Sequence, residues 1–273
     1  SAITNVGTAH IGELGSRENI LKAKLEIIAG MKDGSTLVIN NDNDMLSKVQ
    51  IDRLQLLTVA VDNDGDFKAD NVILKDDHSE FEIEYENKKY SVYVPVPGKH
   101  FILNALIAIA IGHKLNISID KCIQGIKEFE LTKKRMDVIE LKNKITLIDG
   151  TYNASEDSMK SSLDVLATYN RRKVAVLADM LELGDFSQEI HQRVGEYVAK
   201  KNIDVLVAVG KEAKYIVDGA KEMKMDAIFY CQDNQEVINY LQNNLQSNDV
   251  VLLKGSNGMK LKDVVTKIEE KFS

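Results

Sequence analysis

From Ile145 to its end the chain alternates short β-branched runs with helical patterns, and few folds satisfy that alternation. The runs are Ile145–Asp149, Val174–Ala178, Val205–Val209, Ala227–Tyr230 and Val250–Leu253. Between and after them, apolar residues recur at helical spacing over Ser158–Tyr169, Gln188–Lys200, Ala213–Glu222, Glu236–Leu245 and Leu261–Phe272. Strands apolar on both faces need cover on both faces, and crossover helices of roughly 10–15 residues provide it. The pattern predicts a doubly wound, mainly parallel sheet, Rossmann-like in topology but without a GxGxxG turn. Ligands of such sheets bind outside the carboxyl ends of the strands. Asp149, Asp179, Gly210-Lys211 and Lys254-Gly255-Ser256 fall there. Strand ends are polar in many proteins; it is the convergence of acids, bases and a hydroxyl that favours a ligand edge.

The first half follows a different pattern. Ala2–Val6 reads as a strand that His10 ends, and Ser16 as the N-cap of a helix stopping near Gly30 or Gly34. Thr36–Asn40 reads as a strand. Alternating stretches between Leu54 and Val94, such as Phe81–Tyr85 and Tyr90–Val94, read as antiparallel strands with one wet face. Helices follow at His100–Leu115 and from Ser118 or Asp120 to Phe129. The basic Lys133-Lys134-Arg135 marks the expected boundary, giving domains 1–134 and 135–273. On the helix after Ser16, Ile20, Ile27, Ile28 and Met31 form one stripe with Lys24 at its middle. Burial there disfavours the charged amine, and a neutral amine can act as a base or react with CO2 to form a carbamate. A lysine snorkelling off the stripe fits the same geometry.

Composition narrows the function. The chain has 273 residues, 44% hydrophobic and 28% charged, with a net charge of −7. An acidic balance argues against nucleic-acid binding. No apolar run has the length of a membrane span and no signal peptide opens the sequence, so the expectation is a cytoplasmic protein without membrane insertion. Cys122 and Cys231 lie on different elements, without the CxxC spacing of a zinc or redox site.

Several segments, in order, carry a resemblance. They are Asn5-Val6-Gly7-Thr8-Ala9-His10 with Ala23-Lys24-Leu25-Glu26; Gly98-Lys99-His100 with Asn104; Tyr152-Asn153-Ala154 with Asp157-Ser158-Met159; Asp179-Met180-Leu181-Glu182-Leu183-Gly184 with His191; and Lys254-Gly255-Ser256 with Met259. Together they resemble the Mur ligases, ATP-dependent amide ligases that build the peptidoglycan stem peptide. The likeness is greatest to the member acting last, which joins D-alanyl-D-alanine to a UDP-N-acetylmuramoyl-tripeptide. It implies an incomplete, ATPase-type α/β central domain followed by a complete C-terminal ligase domain. The family's UDP-binding domain and Walker A loop have no counterpart in this sequence, so a fragment inactive by itself is expected.

The resemblance also implies roles, with ATP and Mg2+ as cofactors. His10 would ligate a metal, and a carbamylated Lys24 would support the second magnesium. Asn104 would face adenine, and Arg135 an ATP phosphate. Gly150 stands where the family places an acid that contacts ribose, which leaves Asp149 as the candidate for that task. Lys254 and Ser256 would hold the carboxylate of the incoming dipeptide, although Asn257 replaces a common arginine. Asp179, Glu182 and His191 match without an evident role. A monomer is expected. Two alternatives remain: another Mur-type or folylpolyglutamate-like ligase, and a non-catalytic nucleotide-binding or interaction module.

Overall fold

The computed structural model describes residues 1–130 and 135–273. The chain forms two compact units, one of Ser1–Gly7 with Leu14–Glu130, the other gathering Thr8–Glu13 with the chain beyond Glu130. Lys133 and Lys134 of the expected boundary lie outside the described residues.

The chain opens with β1 (Ala2–Ile3), the one-turn helix α1 (Ile11–Leu14) and α2 (Arg17–Leu25). Ser16 caps α2 as expected, its hydroxyl accepting from the Asn19 amide at 3.1 Å. Arg17 ties the helix start to Asp44 and to the Val6 carbonyl. Two expectations need correction. β1 ends at Ile3, so His10 does not end a strand; it sits in a left-handed conformation just before α1. Nor is Lys24 buried on an apolar stripe. It is exposed, and so is Ile27, while Ile20 alone among the stripe residues is buried. At Glu26 the α-helix passes into a 3-10 turn, Glu26–Gly30. Its tighter winding rotates Ile27 and Ile28 away from the line set by Ile20.

In the first unit β2 (Thr36–Asn40), β3 (Gln55–Ala60) and β4 (Phe67–Lys68) join β1 in a parallel sheet of order β1-β2-β3-β4. The antiparallel expectation for stretches between Leu54 and Val94 does not extend to β3 and β4, which pair in parallel. It holds for β5 (Asp70–Leu74), β6 (Ser79–Tyr85) and β7 (Lys88–Val94). Glu86 and Asn87, both at positive φ, close the β6–β7 hairpin in the twist that a two-residue loop requires. The helices α3 (Lys99–Lys114) and α4 (Ile119–Lys127) complete this unit, with the Ser118 hydroxyl capping α4.

In the second unit β8 (Asp137–Glu140), β9 (Thr146–Gly150), α5 (Glu156–Ala167), β10 (Lys173–Ala178), α6 (Ser187–Lys200), β11 (Val205–Val209), α7 (Lys214–Glu222), β12 (Ile228–Cys231), α8 (Asn234–Asn244), β13 (Val250–Lys254) and α9 (Leu261–Phe272) follow in turn. The sheet order is β12-β11-β10-β13-β9-β8, parallel except for β8. The doubly wound α/β fold is thus the one expected. Every residue of β9, β11 and β13 is buried, which is why these strands read as unbroken apolar runs. Each fully buried Val, Leu or Ile contributes about 1.5–3 kcal/mol of transfer free energy, so this sheet is the main source of the unit's stability.

Helices α6 and α7 cross where each presents a glycine. A Cβ on Gly195 would overlap the Ile216 carbonyl oxygen, and one on Gly219 the Gln192 carbonyl oxygen. The obstacle is backbone on both sides, so no side-chain rotation relieves it. Gly195→Ala and Gly219→Ala should each destabilise by about 3 kcal/mol, the upper end for overpacking, in urea unfolding. A change within ~0.5 kcal/mol would mean that the helices separate without cost.

Candidate functional site

The carboxyl ends of β9, β10, β11 and β13 gather polar side chains that the apolar strands beneath hold in register. The expected set divides by what each group already touches.

Asp149, the penultimate residue of β9, is fully buried with both carboxylate oxygens engaged. Oδ1 accepts from the Thr151 amide at 3.0 Å and its hydroxyl at 2.6 Å, while Oδ2 pairs with Lys262 at 3.0 Å. Both oxygens of this buried carboxylate are thus already engaged within the fold. Lys262 lies on α9, 113 residues from its partner in the chain, and nothing local in the sequence announces the pairing.

Lys254 ends β13 and is only 6% exposed. Its ammonium donates to the Asn153 carbonyl at 3.0 Å and the Gly150 carbonyl at 3.4 Å. No carboxylate among the described residues forms an ion pair with it. Burial, aided by the nearby Arg135 charge and opposed by Asp149, lowers its pKa to about 8. Arg135 itself is exposed, its guanidinium 4.1 Å from the centre of the Tyr152 ring. Arg135, Lys254 and Lys262 thus bring three positive charges to the end of β9, where Asp149 and, opposite it, Asp137 stand, with Glu269 4.0 Å from Lys262.

Ser256 is buried two residues on. Its amide donates to the Asp179 carbonyl at 3.1 Å, and its hydroxyl oxygen accepts from the Leu181 amide at 2.9 Å. The hydroxyl proton is thereby left to donate. Asp179 closes the start of α7, its Oδ1 accepting from the Glu212 amide at 3.0 Å and the Ala213 amide at 2.7 Å. His191 is wholly buried on α6, with Nε2 accepting from the Met180 amide at 2.9 Å. These residues, unassigned from sequence, frame the edge. Asn104 stands elsewhere, exposed on α3 one turn beyond His100 in the first unit.

His10 and Lys24 belong to different compact units. His10 is exposed and pairs through Nδ1 with Glu182 at 2.7 Å. Among the described residues no group of three His, Cys, Asp or Glu side chains is placed to hold a metal ion. Magnesium is commonly held by one or two protein groups together with substrate phosphates and water.

Comparison with known proteins agrees with this architecture. Residues 1–112 match the Mur ligase middle domain, and residues 134–257 the Mur ligase, glutamate ligase domain. The chain belongs to the Mur ligase family. Among curated relatives, the UDP-N-acetylmuramoyl-tripeptide–D-alanyl-D-alanine ligase of Bacillus subtilis is 31% identical, over 99% of this chain and 59% of its own length. The Escherichia coli ligase of the same name is 29% identical over 98% of this chain and 59% of its length. Among solved structures, MurF from Acinetobacter baumannii superposes with a TM-score of 0.90 at 28% identity, covering 99% of this chain and 59% of that one. MurF from Thermotoga maritima, in complex with ADP, superposes at 0.86 with 25% identity, covering 99% and 61%. This Mur ligase chain therefore spans about 59% of the length of these curated relatives.

The state of Lys254 has a measurable consequence. With its folded pKa at about 8, against an ordinary 10.5, the folded protein binds fewer protons than the unfolded chain between those values. Stability from this residue is full above 10.5 and is lost as pH falls through about 8. Relative to Lys254→Met, the wild type should lose on the order of 3 kcal/mol across that window in chemical denaturation. A difference independent of pH would show that the amine keeps its ordinary basicity.

Proposed function

We propose that this chain supplies the middle and C-terminal domains of a ligase that joins D-alanyl-D-alanine to a UDP-N-acetylmuramoyl-tripeptide at the expense of ATP. The observation that carries the reading is the buried Lys254 ammonium, without an ion-pair partner among the described residues, two residues before a Ser256 hydroxyl with its proton to give. Such a pair suits a carboxylate, and the incoming dipeptide brings one. Relatives bearing that ligase's name along almost the whole chain support the choice of substrate.

In this reading a carboxylate oxygen of the tripeptide attacks the γ-phosphorus of ATP, and ADP leaves. The dipeptide amine then attacks the carbonyl carbon of the acyl phosphate, inorganic phosphate departs and the amine proton passes to solvent. Arg135, held over the Tyr152 ring, is the cation for phosphate oxygens. Lys254 and Ser256 fix the dipeptide so that its amine approaches in one orientation. Asn104, exposed at the start of α3, is the candidate contact for adenine. The residues of domains 1–134 and 135–273 would act within one polypeptide, so a monomer suffices. No described helix is long and apolar enough to cross a membrane. The cytoplasm, where ATP is at hand, is the proposed location.

The test is a polypeptide of the relatives' full length carrying this chain, assayed for phosphate release. Release should require ATP, the UDP-linked tripeptide and D-alanyl-D-alanine together. Lys254→Met should raise KM for the dipeptide about ten- to a hundred-fold, the loss of one charge-assisted contact of roughly 1.5–3 kcal/mol. Turnover with glutamate or a diamino acid in place of the dipeptide would point to another Mur-type activity. Absence of any ATP-dependent reaction would leave a nucleotide-binding module.

A further inference from the structure

We propose that His191 is a positioning residue which, as a neutral imidazole protonated on Nδ1, sets the Met180–Glu182 turn and, through that turn, the Ser256 hydroxyl. Its neighbours determine the tautomer. Nδ1 lies 2.7 Å from the Ser187 carbonyl, which only accepts, so Nδ1 carries a proton. The Met180 amide, which only donates, lies 2.9 Å from Nε2, so Nε2 is bare. A second proton on the ring would face the Met180 N–H and abolish that bond.

The turn needs such a hold. Glu182 has φ +65, a conformation costly for a residue with a Cβ, and it persists only where surrounding contacts impose it. One residue before it, the Leu181 amide donates to Ser256 Oγ at 2.9 Å. Displacing Met180 therefore displaces the donor that orients the serine hydroxyl. His191 touches no substrate in this scheme and acts only through the turn.

The charged and titratable groups facing the ring come from three elements. Ser187, on α6 itself, places its hydroxyl 3.2 Å from Nδ1. Glu212, between β11 and α7, takes that hydroxyl at 2.9 Å, and Asp179 directly follows β10. Burial opposes protonation, while the Ser187 carbonyl and then the two carboxylates favour it; burial prevails, and the pKa falls below the ordinary 6.5. The bearing of this on dipeptide binding rests on the ligase reading of Ser256; the hold on the turn does not.

The experiment uses the chain as it stands. Long-range 15N–1H NMR should show the Nδ1–H tautomer of His191 persisting below pH 6.5, the ordinary midpoint. After correction for intrinsic exchange, Met180 and Leu181 amides should lose about ten-fold or more of their protection as His191 is finally protonated. His191→Gln, whose side-chain oxygen can reach the Nε2 position, should keep the protection and lose its pH dependence. His191→Phe, of similar shape without an acceptor, should lose protection at every pH; if it does not fold, the wild type and the Gln variant decide. An Nε2–H tautomer, titration at or above 6.5, or protection unchanged in the Phe variant would overturn the proposal. None of these readouts needs substrate. Full agreement here together with no dipeptide-dependent turnover would fault the ligase reading alone.

Discussion

One buried carboxylate, Asp179, organises the ligand edge of the second unit. Its side chain accepts from the Glu212 and Ala213 amides that lead into α7, and its carbonyl receives the Ser256 amide from just beyond β13. Three neighbouring elements are thus referred to one residue at the end of β10. The arrangement dictates Gly210: a Cβ there would fall 2.5 Å from the Asp179 carboxylate, and the residue has φ +115. Only glycine satisfies both conditions. The same economy appears at Gly12, whose missing Cβ lets its amide approach the Glu182 carbonyl at 3.1 Å.

Most of the fold was legible in the sequence because burial on two faces writes a strand as a continuous apolar run. β9 to β13 and α5 to α9 fall within a few residues of the positions read from hydrophobic spacing. What escaped did so for physical reasons. β8 is a four-residue edge strand with Val138 exposed, so it lacks the apolar signature. β3 is only partly buried over most of its length and imitates an antiparallel strand with one wet face, although it runs parallel to β2. The stripe on α2 assumed one helical period across a segment that changes its winding at Glu26.

The site was legible as a set of positions rather than as a set of roles. Topology alone placed Asp149, Asp179, Lys254 and Ser256 at one edge, and they are there. Whether a group is available to a ligand depends on partners distant in sequence. Lys262 pairs with Asp149, whereas no carboxylate among the described residues forms an ion pair with Lys254, which makes it the unusual member. His191 and Glu182 matched a motif, but only the structure shows their partners, Met180 and His10. Pattern identifies the type of edge; pairing shows which of its residues are already engaged within the fold.

The reversed direction of β8 settles where the chain enters the sheet. Asp137 lies opposite Asp149, so the first residues of the strand stand level with the last residues of β9. Had β8 run parallel to its neighbour, its start would lie about 10 Å away at the far rim, at some 3.4 Å per residue. The reversal brings Met136 within reach of Gly150 and delivers Arg135 to the face of Tyr152 without any connecting loop. Entrance and chemistry share one rim, and a change of length or direction in the few residues leading into this strand is a change to the site itself.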